Sequence, residues 1–203
     1  MAQLSIGNGA ANAPWNETID RMPEAEVSIR LAEYLSELPS FAGTVDVAID
    51  GASVRVHGAD VFDIRGYLAV HGWNVAERAN MGRNDWAATY RRRDALMRIH
   101  SRSGMGDVVA VVGGRRIIAE CKKGPLVKLP GSKEYPLLTS ALGQALLFPS
   151  APSDILVAAV PDTPAFRRIA TDWRERPRVK MAGLQIALVA RSGEVSGLSI
   201  VPV

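Results

Sequence analysis

The stretch GDVVAVVGGRRIIAECKKG, from Gly106 to Gly124, decides how the rest of the chain is read. Asp107 opens a run of Val and Ala. Gly113-Gly114 follows, where a two-residue turn needs positive φ. Arg115 to Lys122 then returns, so the segment reads as a β-hairpin. That turn pairs residues whose numbers sum to about 227, which sets Asp107 opposite Glu120. Side chains alternate along a strand, so Glu120 and Lys122 share one face and Cys121 takes the other. Two carboxylates and an ammonium therefore converge at one end of one sheet face. Carboxylates a few ångströms apart resist joint ionisation unless a cation sits between them. A hard divalent ion such as Mg²⁺ removes that conflict and prefers carboxylate and carbonyl oxygens plus water. With a lysine beside it to orient a bound water, such a group can cleave a phosphodiester.

Outward from the hairpin, helical and extended patterns alternate. Pro23 opens a helical spacing of Val27, Leu31, Tyr34 and Leu38, and Pro39 stops it. Residues 45–49 and 53–56 read as two short strands about an Asp50-Gly51 turn. Residues 60–71 read as a helix, 73–76 as the start of a strand, and 88–92 and 95–100 as extended and basic. Beyond the hairpin the pattern predicts a loop over 124–136, a helix over 137–148, a buried strand over 155–160 and a helix over 164–174. A strand over 184–190 and a short final one follow. The expected fold class is α/β, a mixed central sheet flanked by helices. The expected organisation is a flexible tail over 1–22, a small N-terminal helix–hairpin extension over 23–58 and the main domain over 59–203.

The pattern Asp107-x12-Glu120-x-Lys122 on a hairpin resembles the PD-(D/E)xK nuclease superfamily, whose fold is restriction-endonuclease-like. The resemblance covers roughly residues 60–200. The helix DVFDIRGYLAVHGW looks like the first core helix of that fold. Gln144-x3-Phe148, in SALGQALLF, is similar to the Q-x-x-x-Y element of some members, with Phe for Tyr. Gly106 stands where the family usually has Pro. The resemblance implies a Mg²⁺-dependent endodeoxyribonuclease, with Mn²⁺ able to substitute, in bacterial defence, restriction or repair. Asp107 and Glu120 would hold the metal, helped by the backbone carbonyl of Cys121. Lys122 would position or activate the water. An acid from the first helix would complete the site, Asp63 first and Asp60 second. Gln144 would lie at its rim. Cutting both strands of a duplex implies a homodimer. Alternatives of other classes stay open: a binding module that kept the fold, a nuclease for RNA or branched DNA, and a subunit active only with a partner.

Charge supports a polyanionic partner. Residues 1–63 hold three Arg and no Lys against ten Asp and Glu, a net −7. Residues 64–203 hold 21 Lys and Arg against 11 Asp and Glu, a net +10. Arg91, Arg92 and Arg93 with Arg98 and Arg102, Arg115 and Arg116, and Lys123, Lys128 and Lys133 are candidate DNA phosphate contacts. A third basic cluster runs from Arg167 and Arg168 to Lys180. The acidic front portion is a candidate contact for a protein partner. For Asp63 the plainer reading is an acid favoured by the helix macrodipole. For the hairpin acids it is an exposed ion-pair cluster, and for Cys121 a small core residue. The single cysteine excludes an intrachain disulfide framework and a Cys-rich zinc site. No apolar run is long enough to cross a bilayer, and the first residues lack a secretory pattern. A cytoplasmic protein is expected. Walker, dinucleotide-binding and Gly-x-Ser-x-Gly patterns are absent.

Overall fold

The computed structural model describes residues 22–50, 55–56, 59–60, 62–78, 84–102, 104–124 and 133–200. In chain order these form α1 (Glu24–Ser36), β1 (Phe41–Ala48), β2 (Arg55–Val56), β3 (Ala59–Asp60), α2 (Ile64–Val70) and β4 (Asn74–Arg78). Next come β5 (Ala88–Arg92), β6 (Ala95–His100), β7 (Val108–Val112), β8 (Arg115–Cys121) and α3 (Glu134–Ala145). The chain continues with β9 (Ile155–Pro161), α4 (Pro164–Arg174), α5 (Pro177–Met181), β10 (Leu184–Val189) and β11 (Val195–Ser196).

Nine strands make one mixed sheet in the order β11-β10-β9-β8-β7-β1-β6-β5-β4, so the fold is α/β. β7 and β8 pair antiparallel with Val108 opposite Ala119 and Val112 opposite Arg115, the register expected from the Gly113-Gly114 turn. β9 lies parallel to β8 and to β10, which suits its unbroken apolar run. β1 lies between β7 and β6, antiparallel to the first and parallel to the second.

This position of β1 corrects the expected hairpin about Asp50-Gly51. β1 pairs with β6 and β7, and Arg55–Val56 pairs with Ala59–Asp60; residues 53 and 54 of the expected strand lie outside the described residues. An Asp-Gly pair permits a tight turn but does not choose the strand's partner, and Val45 and Val47 bury better in mid-sheet. The residues expected as an N-terminal extension thus supply α1 and an interior strand. They share one hydrophobic cluster with β6, β7 and β8. α2 is shorter than expected, while α3 starts earlier and takes in Pro136. Proline is tolerated in a first turn because that N–H has no intrahelical partner.

α1 covers one face of the sheet, over β1, β7 and β9. Its polar residues Glu26, Ser28, Arg30 and Glu33 are buried as well, so each needs a partner. Arg30 Nε donates to Glu26 at 2.8 Å, and Arg191 Nη2 donates to the same carboxylate at 3.2 Å. Glu33 accepts from Tyr67 Oη at 2.5 Å and Trp73 Nε1 at 2.9 Å. Two of the ten front-portion acids, Glu26 and Glu33, are therefore neutralised inside the fold rather than displayed to a partner. α3 and α4 cover the opposite face over β8, β9 and β10. On that same face β7, β1, β6 and β5 carry half-buried or exposed side chains, among them Asp46, Thr89, Arg91, Arg98 and Val111.

Candidate functional site

The site forms at the end of β8, where β7 begins and the first turn of α1 arrives. Two backbone bonds fix Asp107: its N–H donates to Ala119 O at 2.9 Å, and its carbonyl accepts from Ala48 N–H at 2.8 Å. Its carboxylate accepts the Cys121 N–H at 2.7 Å. Glu120 emerges from the paired strand with only 7% of its surface exposed. Lys122 Nζ donates to Glu120 Oε1 at 2.5 Å. Gly106 explains the residue before Asp107. Its φ is +138°, a value proline cannot adopt, and an added Cβ would meet Ile118 Cγ2 at 2.9 Å.

A third carboxylate, unread in the sequence, belongs to Glu24. Its Oε1 lies 3.9 Å from Lys122 Nζ. The Met22 carbonyl accepts the Gly124 N–H at 2.9 Å and ties the start of α1 to the end of β8. A Glu in the first turn of a helix is ordinary in a sequence; only the fold aims it at Lys122.

Electrostatics follow from this crowding. Burial, then the charge of Glu120, then that of Glu24 push the Asp107 carboxyl up to about 7, against the Cys121 N–H and Lys122. Burial also raises Glu24, with Lys122 opposing. Burial pulls the Lys122 ammonium down, but its bond to Glu120 and the charges of Glu24 and Asp107 hold it above its ordinary value. Lys122 is thus a cation, and one ammonium faces three carboxylates.

Among the described residues no group of three His, Cys, Asp or Glu side chains is gathered to hold a metal alone. The donor set is all hard oxygen, and Mg²⁺ takes one or two carboxylates and keeps several waters. Asp107 and Glu120, which share a charge conflict that a cation relieves, fit that ion. The Cys121 thiol points into the core beneath α1, and burial pushes it well up, so only the backbone of Cys121 faces the site. A cavity of about 410 Å³ opens beside the acids, lined by Ile49, Asp50, Arg102, Gly106, Asp107, Glu120 and Phe148.

Other expected site residues lie elsewhere. Asp63 is exposed and caps α2, its carboxylate accepting the Gly66 N–H at 2.9 Å. The plainer reading of Asp63 therefore holds. The side chain of Asp60 and all of Lys128 lie outside the described residues. Gln144 is exposed and accepts from Ser140 Oγ at 3.4 Å, with no described bond to the acids. Lys123 and Lys133 are exposed, next to the site and at the start of α3.

Arg115 and Arg116 sit at the hairpin turn, about 17 Å and about 13 Å along the strand from Glu120. Arg116 Nη2 pairs with Asp154 at 2.5 Å, and Arg115 Nε donates to Ser153 O at 2.9 Å. Arg92 turns toward α1, pairs with Glu37 at 2.8 Å and lies over the Trp73 ring. Arg93 occupies the β5–β6 turn at φ +53°. These four do not converge on the acids. Among the described residues no helix is long and apolar enough to cross a membrane. Neither a family model, a curated protein nor a solved structure matches the chain.

Proposed function

We propose that the chain is a metal-dependent deoxyribonuclease of the PD-(D/E)xK superfamily, with a restriction-endonuclease-like core built from α1, β1, β7, β8, α3 and β9. The observation that carries this reading is the convergence of Asp107, Glu120 and Lys122 at one strand end, with Lys122 bonded to Glu120 at 2.5 Å. Glu24 supports it too, as the acid from a helix that the resemblance expects. That helix is α1, not the segment 60–73.

Asp107, Glu120 and the Cys121 carbonyl would hold Mg²⁺, with Glu24 beside them. When bound, the ion lowers the pKa of a water and stabilises charge developing on the phosphate. Lys122, held as a cation by Glu120 and Glu24, orients the attacking water through an N–H and offsets that charge. It acts as a donor, not as the general base. Lys123 and Lys133 bind flanking phosphates. A homodimer would set one such site on each strand of a duplex, in defence, restriction or repair.

The test is cleavage of supercoiled, linear duplex and single-stranded DNA with Mg²⁺, Mn²⁺ or EDTA. Metal-dependent cutting is expected, reduced roughly 10²–10⁴-fold in Lys122→Ala and Glu120→Ala. Wild-type activity in either variant would sink the site assignment. Cutting of RNA but not DNA would move the substrate class.

A further inference from the structure

Among the described residues the sheet is covered unevenly on its second face, and the part they leave uncovered begins at the proposed site. The cavity beside Asp107 and Glu120 shares Arg102 with a second cavity of about 460 Å³. That second cavity is lined by Glu77, Thr89, Arg98, Ile99, His100 and Arg102. The two meet at Arg102, and end to end they run from β7 across β1 and β6 to β5. The strand registers fix this path. Ala48 is bonded to Asp107 on one side and stands opposite His100 on the other. One row further in, Thr89 stands opposite Arg98, and Arg98 opposite Asp46. Strands lie about 4.8 Å apart, so β6 is about 10 Å from β7 and β5 about 14 Å.

We infer that this groove carries the DNA strand flanking the cut phosphate, with Arg102, Arg98 and Arg91 as its phosphate contacts. The inference rests on the nuclease reading and adds to it the direction in which the substrate leaves the site. Continuity with the site and the exposed guanidinium groups of Arg98 and Arg91 favour that occupant. Arg98 bonds Asp46 through Nε, yet its side chain stays 59% exposed, leaving guanidinium donors turned outward. Arg91 is exposed in the next row on the same face. Asp46, Asp50 and Glu77 are the acids there besides Asp107 and Glu120 of the site, so the three arginines face three carboxylates outside the site itself. A flat sheet face with Thr89 and a partly buried Phe148 at the inner lobe also offers apolar and hydroxyl contact to sugars and bases.

Fluorescence anisotropy of a labelled DNA oligonucleotide with the full chain in EDTA reads binding without cleavage. Arg98→Ala and Arg102→Ala are each expected to weaken binding about tenfold and to lower the salt slope by about one. Arg98→Lys, which keeps the charge, recovers most of the loss. Thr89→Trp fills the outer lobe, leaves every arginine in place and also weakens binding. Wild-type binding with unaltered affinity and slope in Arg98→Ala, Arg102→Ala and Thr89→Trp overturns the groove assignment, even where metal-dependent cleavage by the wild type upholds the nuclease reading. Binding of RNA in preference to DNA overturns the occupant.

Discussion

Lys122 Nζ lies 3.9 Å from Glu24 Oε1, a contact between the end of β8 and the first turn of α1. Lys122 is therefore clamped from both sides, by its own strand neighbour Glu120 and by a helix from the start of the fold. Glu24→Gln keeps the shape and removes the charge. Cleavage and Mg²⁺ affinity should each fall roughly 10–100-fold, read by initial rates and by calorimetric titration.

Asp63 provides the contrast. Its carboxylate caps α2 and serves no described catalytic partner. Asp63→Ala should cost about 1 kcal/mol of stability in urea unfolding and leave the cleavage rate alone.

The Asp107 carboxyl, raised to about 7 from an ordinary 3.8, makes stability depend on pH. Between those values the folded chain holds a proton that the unfolded chain has released. Stability therefore falls as pH rises through that window, and the loss is complete above about 7. Asp107→Asn should be more stable than wild type at about pH 8 and nearly equal at about pH 4. Mg²⁺ should reverse the wild-type deficit, because it needs the ionised carboxylate and displaces the proton. Thermal melts with and without Mg²⁺ at the two pH values read both effects. A Mg²⁺ stabilisation as large in Asp107→Asn as in wild type would contradict the assignment.

Gly106→Ala tests the strained approach to Asp107. Its φ of +138° and the 2.9 Å contact with Ile118 leave no room for a methyl group. The expected cost is about 1–3 kcal/mol of stability. Cleavage should drop at least about tenfold, because Asp107 shifts with its neighbour.

Glu33 anchors the other end of α1. Its carboxylate accepts from Tyr67 and Trp73, and lies 3.2 Å from His71 Nδ1 and 3.4 Å from Arg92 Nη1. Glu33→Ala leaves buried donors unpaired and should destabilise the fold by about 3–5 kcal/mol, read by urea unfolding. Mg²⁺ affinity of the remaining folded protein should stay unchanged, because the network lies at the end of α1 away from Glu24.

The hairpin and its acids were legible because turn and alternation fix them locally. Gly113-Gly114 sets the register, and the register sets Asp107 against Glu120. β1 was not legible as an interior strand, since both its partners come long after it in sequence and Asp50-Gly51 offers a nearer, wrong one. Glu24 was hidden for a related reason. Nothing local marks it, and its role depends on where α1 lands. The arginines divided by strand parity. Arg91 and Arg92 are adjacent in sequence, yet one is exposed on the second face of the sheet and the other pairs with Glu37 at the end of α1. Arg115 and Arg116, expected as DNA phosphate contacts, stand close to the acids in sequence, yet the hairpin carries them to its opposite end.

The interior place of β1 also sets an order of events. Val47 pairs with Ile99 on one side and Val108 on the other. During synthesis β1 emerges early, and both neighbours follow only after a long stretch of chain. Until β6 and β7 arrive, the future centre of the sheet is a bare apolar edge, prone to pairing with the wrong chain. Closing such distant pairs makes collapse of the sheet a slow, late step. A nascent chain halted before Val108 has made β6 but lacks β7, so one edge of β1 stays open.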